Sequence, residues 1–154
     1  MKNVVLLVLT TLLGCLSFAS CGDEDEHFEN IKFKITGVTL SKPSGNSYYA
    51  EIGSAGGEIT IIAVGKNASN GFLSQIEVGD YFYKVTDNDL KRTTPYTICD
   101  EKWGKVEVLS AHPHSLRVTL NENATSNSIN YKMTFGAAYK TSTILLTQLR
   151  KKSN

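Results

Sequence analysis

Apolar and polar positions alternate in short runs along most of this chain, and the alternation has a period of two. In IKFKITGVTL, Ile31, Phe33 and Ile35 alternate with Lys32, Lys34 and Thr36; in LRVTL, Leu116, Val118 and Leu120 alternate with Arg117 and Thr119. Successive strand side chains point to opposite faces, so each run predicts a strand with one face buried and one wet. Further strands are expected at 48–52, 58–64, 73–78, 81–85, 105–109, 130–135 and 142–149. Turn clusters SKPSGN, SAGG, KNASNG, SAHPHS and NENATSN separate the runs, and no window sustains a helical period. The segment DNDLKRTTPYTICDEK reads as a long insert in the middle of the pattern. Short alternating strands at this spacing predict an all-β fold, an immunoglobulin-like β-sandwich in preference to a closed barrel.

Two breaks in the pattern bear on the aromatic residues. In QIEVGDYFYKV, Ile76 and Val78 have one parity and Tyr81, Tyr83 and Val85 the other, which predicts a bulge or turn at Gly79-Asp80 and leaves Phe82 facing out. In WGKVEVLS, strict alternation puts Trp103 opposite Val106 and Val108, whereas a bulge at Gly104 would reset the phase and return Trp103 to the core. Tyr48 and Tyr49, being adjacent, face opposite sides. Sugar rings stack on exposed aromatic planes, so Trp103, Phe82 and Tyr96 are the candidate ligand-binding residues.

The N-terminus follows a different rule. MKNVVLLVLTTLLG has one lysine and then an apolar run from Val4 to Leu13 broken only by Thr10 and Thr11. That is the length of a signal-peptide core and too short to span a bilayer, which takes about 20 apolar residues. It ends at Phe18-Ala19-Ser20-Cys21, which resembles a bacterial lipobox. The resemblance implies removal of residues 1–20 and acylation of Cys21, and two or more acyl chains are what stable anchoring requires. Leu12-Leu13-Gly14-Cys15 fits the box pattern better, but cutting there would leave a very short leader and apolar Leu16 and Phe18 in the tether. Cutting before Cys21 instead yields CGDEDEHFEN, soluble from its first residue; a plain unlipidated leader is the remaining alternative. The acidic run makes residues 21–30 a solvated tether. It also resembles the export signal of Bacteroidetes surface lipoproteins, which implies an outer-membrane, lipid-anchored protein exposed at the cell surface, with a periplasm-facing anchor as the alternative.

Charge and cysteine count then bound the domain. The chain has 16 Lys+Arg and 15 Asp+Glu; without residues 1–20, which hold only Lys2 among these, it is formally neutral. Five of the acids, Asp23 to Glu26 and Glu29, lie in the tether, so the body from Ile31 is mildly basic. Its bases are scattered apart from the tail 150–154, and no stripe suits nucleic acid. The body 31–149 is one domain long. With Cys15 removed and Cys21 acylated, Cys99 has no disulfide partner and reads as a buried thiol.

From Ser54 to Gln148 the body resembles a BACON domain, an immunoglobulin-like module of Bacteroidetes surface proteins. SAGGEITI, LRVTLNENATSNSINYKMTF and the closing TSTILLTQ carry the resemblance. The chain departs from that pattern in having Asn130 or a neighbour where the family has Arg, and one Trp, Trp103, where it often has two. The resemblance implies carbohydrate binding.

Other chemistry finds less support. His112-Pro113-His114 reads as a solvated turn, Asp87-Asn88-Asp89 as an Asx-type turn without the spaced Gly and Glu of a calcium loop, and Asp100-Glu101 as loop carboxylates that point apart. Asn67-Ala-Ser and Asn123-Ala-Thr are glycan acceptors only in a eukaryotic secretory chain. No cofactor and no metal are expected. Three functions remain open: a non-catalytic surface module binding glycan or a host or mucin glycoprotein, a structural spacer of a surface complex, and an enzyme inhibitor.

Overall fold

The computed structural model describes residues 30–137 and 140–151. The leader, Cys21 and the tether as far as residue 29 lie outside the described residues.

Among the described residues eleven strands form two sheets. They are β1 (Lys32–Thr36), β2 (Thr39–Leu40), β3 (Ser47–Ile52), β4 (Gly57–Val64), β5 (Phe72–Val78), β6 (Tyr81–Lys84), β7 (Tyr96–Glu101), β8 (Gly104–Ala111), β9 (His114–Leu120), β10 (Ile129–Ala137) and β11 (Lys140–Gln148). A one-turn helix, α1 (Asp87–Leu90), precedes β7. The sheet orders are β1-β4-β9-β8-β7 and β2-β3-β11-β10-β5-β6. All pairings are antiparallel except β11 with β3. Crossing from β4 to β5 and from β9 to β10, this is the A-B-E-D and A′-G-F-C-C′ arrangement of an immunoglobulin-like sandwich, with β7 added at the edge of the first sheet and β2 at the edge of the second.

The inward parity of each strand supplies the core. Ile59, Ile61, Val106, Val108, Leu116 and Val118 of one sheet meet Leu73, Ile76, Met133, Phe135, Ile144 and Leu146 of the other, all buried. Each such side chain contributes about 1.5–3 kcal/mol on leaving water. Leu73 and Ile76 both face in because the β5–β10 register shifts at Ser74, whose Oγ donates to the Thr134 carbonyl at 2.9 Å.

One end of the sandwich is sealed by polar groups. Gln148 Nε2 donates to the carbonyls of Ser54 and Asn121, and its Oε1 accepts from the Tyr131 hydroxyl at 2.7 Å. Asn123 Nδ2 donates to the carbonyls of Asn127 and Leu149, and its Oδ1 accepts from Thr125. Both amides are buried with partners on both sides, as their desolvation requires. The segments SAGG, NENATSN and TSTILLTQ thus meet in one hydrogen-bonded cluster.

Four expectations need correction. The run IKFKITGVTL is two strands in two sheets, because the chain turns at Gly37 and Val38 and crosses over. The segment DNDLKRTTPYTICDEK contains α1 and the edge strand β7, so Asp100 and Glu101 lie exposed on a strand and not in a loop. At Asp87-Asn88-Asp89 a capped helix turn replaces the Asx-type turn: Thr86 caps it and Asp89 Oδ2 accepts from Thr86 N–H, Thr86 Oγ1 and Tyr83 Oη. His114 is buried at the start of β9 and does not belong to a solvated turn.

Candidate functional site

At the end opposite the polar seal, the β4–β5 loop, the α1–β7 connection and the β8–β9 turn surround a pocket of about 330 Å³. Ser69, Asn70 and Gly71 form one wall, and Phe72 opens β5 beside them. Leu90, Arg92 and Tyr96 form the facing wall, and Val108, Ala111, His112 and His114 complete the lining. Apolar and hydrogen-bonding groups therefore converge in one concavity, the usual make-up of a small-ligand site.

Arg92 is held in place from below and from the side. Its guanidinium carbon lies 4.5 Å from the centroid of the Tyr96 ring, Nη1 donates to the Thr97 carbonyl at 2.9 Å, and Asp89 Oδ1 is 3.8 Å away. Burial alone would raise the Asp89 carboxyl, but hydrogen bonds from Thr86 and Tyr83 outweigh it and hold the group below its ordinary range, charged beside Arg92. The capping box thereby fixes the acid, the acid and Tyr96 fix Arg92, and the cation is presented on a rigid support.

The two imidazoles differ. His112 Nδ1 donates to the Ser69 carbonyl at 2.8 Å, tying the β8–β9 turn to the β4–β5 loop. His114 Nε2 accepts from the Leu73 N–H at 3.2 Å, and burial, then the charge of His112, push its pKa down to about 4. It is neutral at pH 7, with its one acceptor nitrogen committed to the backbone. Among the described residues no group of three or more His, Cys, Asp or Glu could hold a metal ion.

The three aromatic candidates lie in three places. Tyr96 lines the pocket, with Arg92 over one face. Phe82 projects from the outer face of the six-stranded sheet, 59% exposed, because the tight turn at Gly79-Asp80 reverses parity between Val78 and Tyr81. Trp103 sits in the β7–β8 turn at the sealed end, half-buried and edge-on to Tyr81 and Tyr131 at centroid distances of 5.8 and 5.6 Å. The expected bulge at Gly104 is not there, since β8 pairs in register through Gly104 and Trp103 precedes the strand in a two-residue turn, where alternation does not govern it. Gly104 instead makes the turn possible, with φ +147° and a Cβ position 2.1 Å from the Thr119 carbonyl oxygen. Cys99 is free and buried, and burial pushes its thiol up to about 11. Phe72, Leu90 and Arg92 were not singled out in the sequence, and no local signal distinguishes them from other loop residues; His114 was, but for the wrong environment.

No protein-family model matches the chain, and no curated protein is significantly similar to it. Among solved structures, an NMR structure of a protein from Bacteroides thetaiotaomicron is similar, with a TM-score of 0.55 and 19% identity over 85% of this chain and 96% of that one. At that identity the likeness speaks for the fold.

Proposed function

We propose that this chain is a non-catalytic, lipid-anchored module of the outer cell surface, BACON-like in kind, that binds glycan or a glycoprotein through the end pocket. The observation that carries the reading is the convergence of Phe72, Leu90, Tyr96, Arg92, Asn70 and His112 on one concavity built by three loops. In immunoglobulin-like sandwiches such loop ends are where recognition is placed on a rigid scaffold. The leader, Cys21 and the acidic tether supply the anchor and the address.

A glycan and mucin array probed with the purified protein and with Tyr96→Ala tests this. The expected result is a defined set of bound glycans whose signal falls at least tenfold in the variant, which stays folded. A full signal from Tyr96→Ala would contradict the pocket assignment. The separation of Trp103, Phe82 and Tyr96 favours a second reading, a spacer of a surface complex, and that reading predicts a silent array.

A further inference from the structure

The pocket has a sign. Arg92 lines it with no Asp, Glu or Lys among the described residues, and the sign comes from that guanidinium, since the buried His114 is neutral. Asp89 sits behind Arg92 with Oδ2 taken up by Thr86 and Tyr83, so it steadies the cation from outside the lining. Within the guanidinium, Nη1 is engaged with Thr97 and Asp89, while Nε and Nη2 have no protein partner among the described residues. Side by side, these two nitrogens form the edge that pairs bidentately with a planar carboxylate. Stacking on Tyr96 and the bond to Thr97 fix the guanidinium before any ligand arrives, which lowers the ordering cost of binding.

The rest of the pocket suits a ring carrying hydroxyls. Phe72 and Leu90 stay 37% and 40% exposed and offer apolar surface, whereas the Tyr96 face under Arg92 is occupied. Asn70 and Ser69 add polar residues to the lining. At about 330 Å³ the space is at the lower end for ligand pockets, enough for one ring and not for an extended chain. A dianionic phosphate would face a single arginine with no lysine in the lining, so the singly charged, planar group is the better match.

We infer that the pocket takes a carboxylate-bearing sugar, with the carboxylate on the Nε–Nη2 edge of Arg92 and the ring against Phe72 and Leu90. This rests on the binding-module reading above and names its ligand class; Tyr96 is then a positioning residue that holds Arg92.

Calorimetric titration with glucuronate, N-acetylneuraminate, glucose and acetate tests it, with NMR detection of the Arg92 Nε–H. At least one acidic sugar is expected to bind ten times or more tightly than glucose or acetate and to shift Arg92 Nε–H. Arg92→Gln should abolish that difference while the domain stays folded, and Arg92→Lys should restore only part of it. If glucose binds as tightly as the acids and Arg92→Gln changes nothing, the acidic assignment fails while the glycan reading stands. Acetate binding as tightly as the sugars would remove the ring from the proposal and overturn it. Silence of all four probes with a positive glycan array overturns this inference alone; silence of both overturns the binding reading as well.

Discussion

His114 carries the clearest pH dependence in the molecule. Folding buries it as a neutral acceptor for Leu73 N–H and lowers its pKa from 6.5 to about 4, so the unfolded chain takes up the proton first as pH falls. Its contribution to stability is complete above pH ~6.5 and is lost progressively down to about pH 4, by up to about 3 kcal/mol. Urea midpoints should therefore drop between pH 7 and pH 4.5, and His114→Gln, which keeps an acceptor and removes the titration, should flatten that part of the slope. An equally steep slope in the variant would contradict the assignment. His114 was legible in principle, since it shares the parity of Leu116 and Val118; the neighbouring proline hid it by making the tripeptide look like a turn. Arg92 was not legible, because its role depends on Tyr96 and Asp89, which the chain brings to it only after α1 and β7 have formed. Cys99 was read as a buried thiol from cysteine count alone and is one.

At the level of elements, alternation identified the strands whose one face is buried and missed the one that breaks the rule. In β7 the adjacent Ile98 and Cys99 are both buried, because the register with β8 shifts between Thr97 and Cys99, so no period of two survives. α1 is too short to show a helical period; its only sequence signal is Thr86 followed three residues later by Asp89, a capping-box spacing. Thr86→Ala should cost about 1 kcal/mol of stability. It should also weaken ligand binding by freeing Asp89 and, through it, Arg92; unchanged affinity would show that the box does not position the cation. Gly104 governs the β7–β8 turn and the burial of Trp103. Gly104→Ala must relieve both a positive φ and a backbone contact at 2.1 Å, so a loss of about 3 kcal/mol is expected, together with a red-shifted Trp103 emission. A variant as stable as the parent, with unshifted emission, would mean that Trp103 is not held by this turn.

On the scale of the whole molecule, the two ends of the sandwich are built differently. The amide cluster around Gln148 and Asn123 ties both sheets to the final strand, and the pocket lies at the far end among the loops. β1 begins at the pocket end, where Lys32 pairs with Val64 and Ile31 packs against Gly71, so the described chain starts beside the pocket. Residues 21–29 span at most ~30 Å when extended. On the proposed anchor, the pocket is therefore kept close to the lipid surface and samples ligands that penetrate to it. Mass spectrometry of the protein extracted from the native membrane should find a mature chain beginning at an acylated Cys21; an unmodified cysteine there, or a start at Cys15, would remove that anchor. The sandwich was readable from period two because a sheet face records burial residue by residue. The pocket was not, because it is a meeting of three loops with no common period.

The most direct test of the proposed binding site is chemical-shift mapping with the strongest ligand from the glycan array. The account predicts perturbations centred on Phe72, Leu90, Arg92 Nε–H and Tyr96, with Phe82 and Tyr49 on the outer sheet face unaffected. Shifts centred on Phe82 and Tyr49, with Arg92 and Tyr96 unmoved, would contradict it.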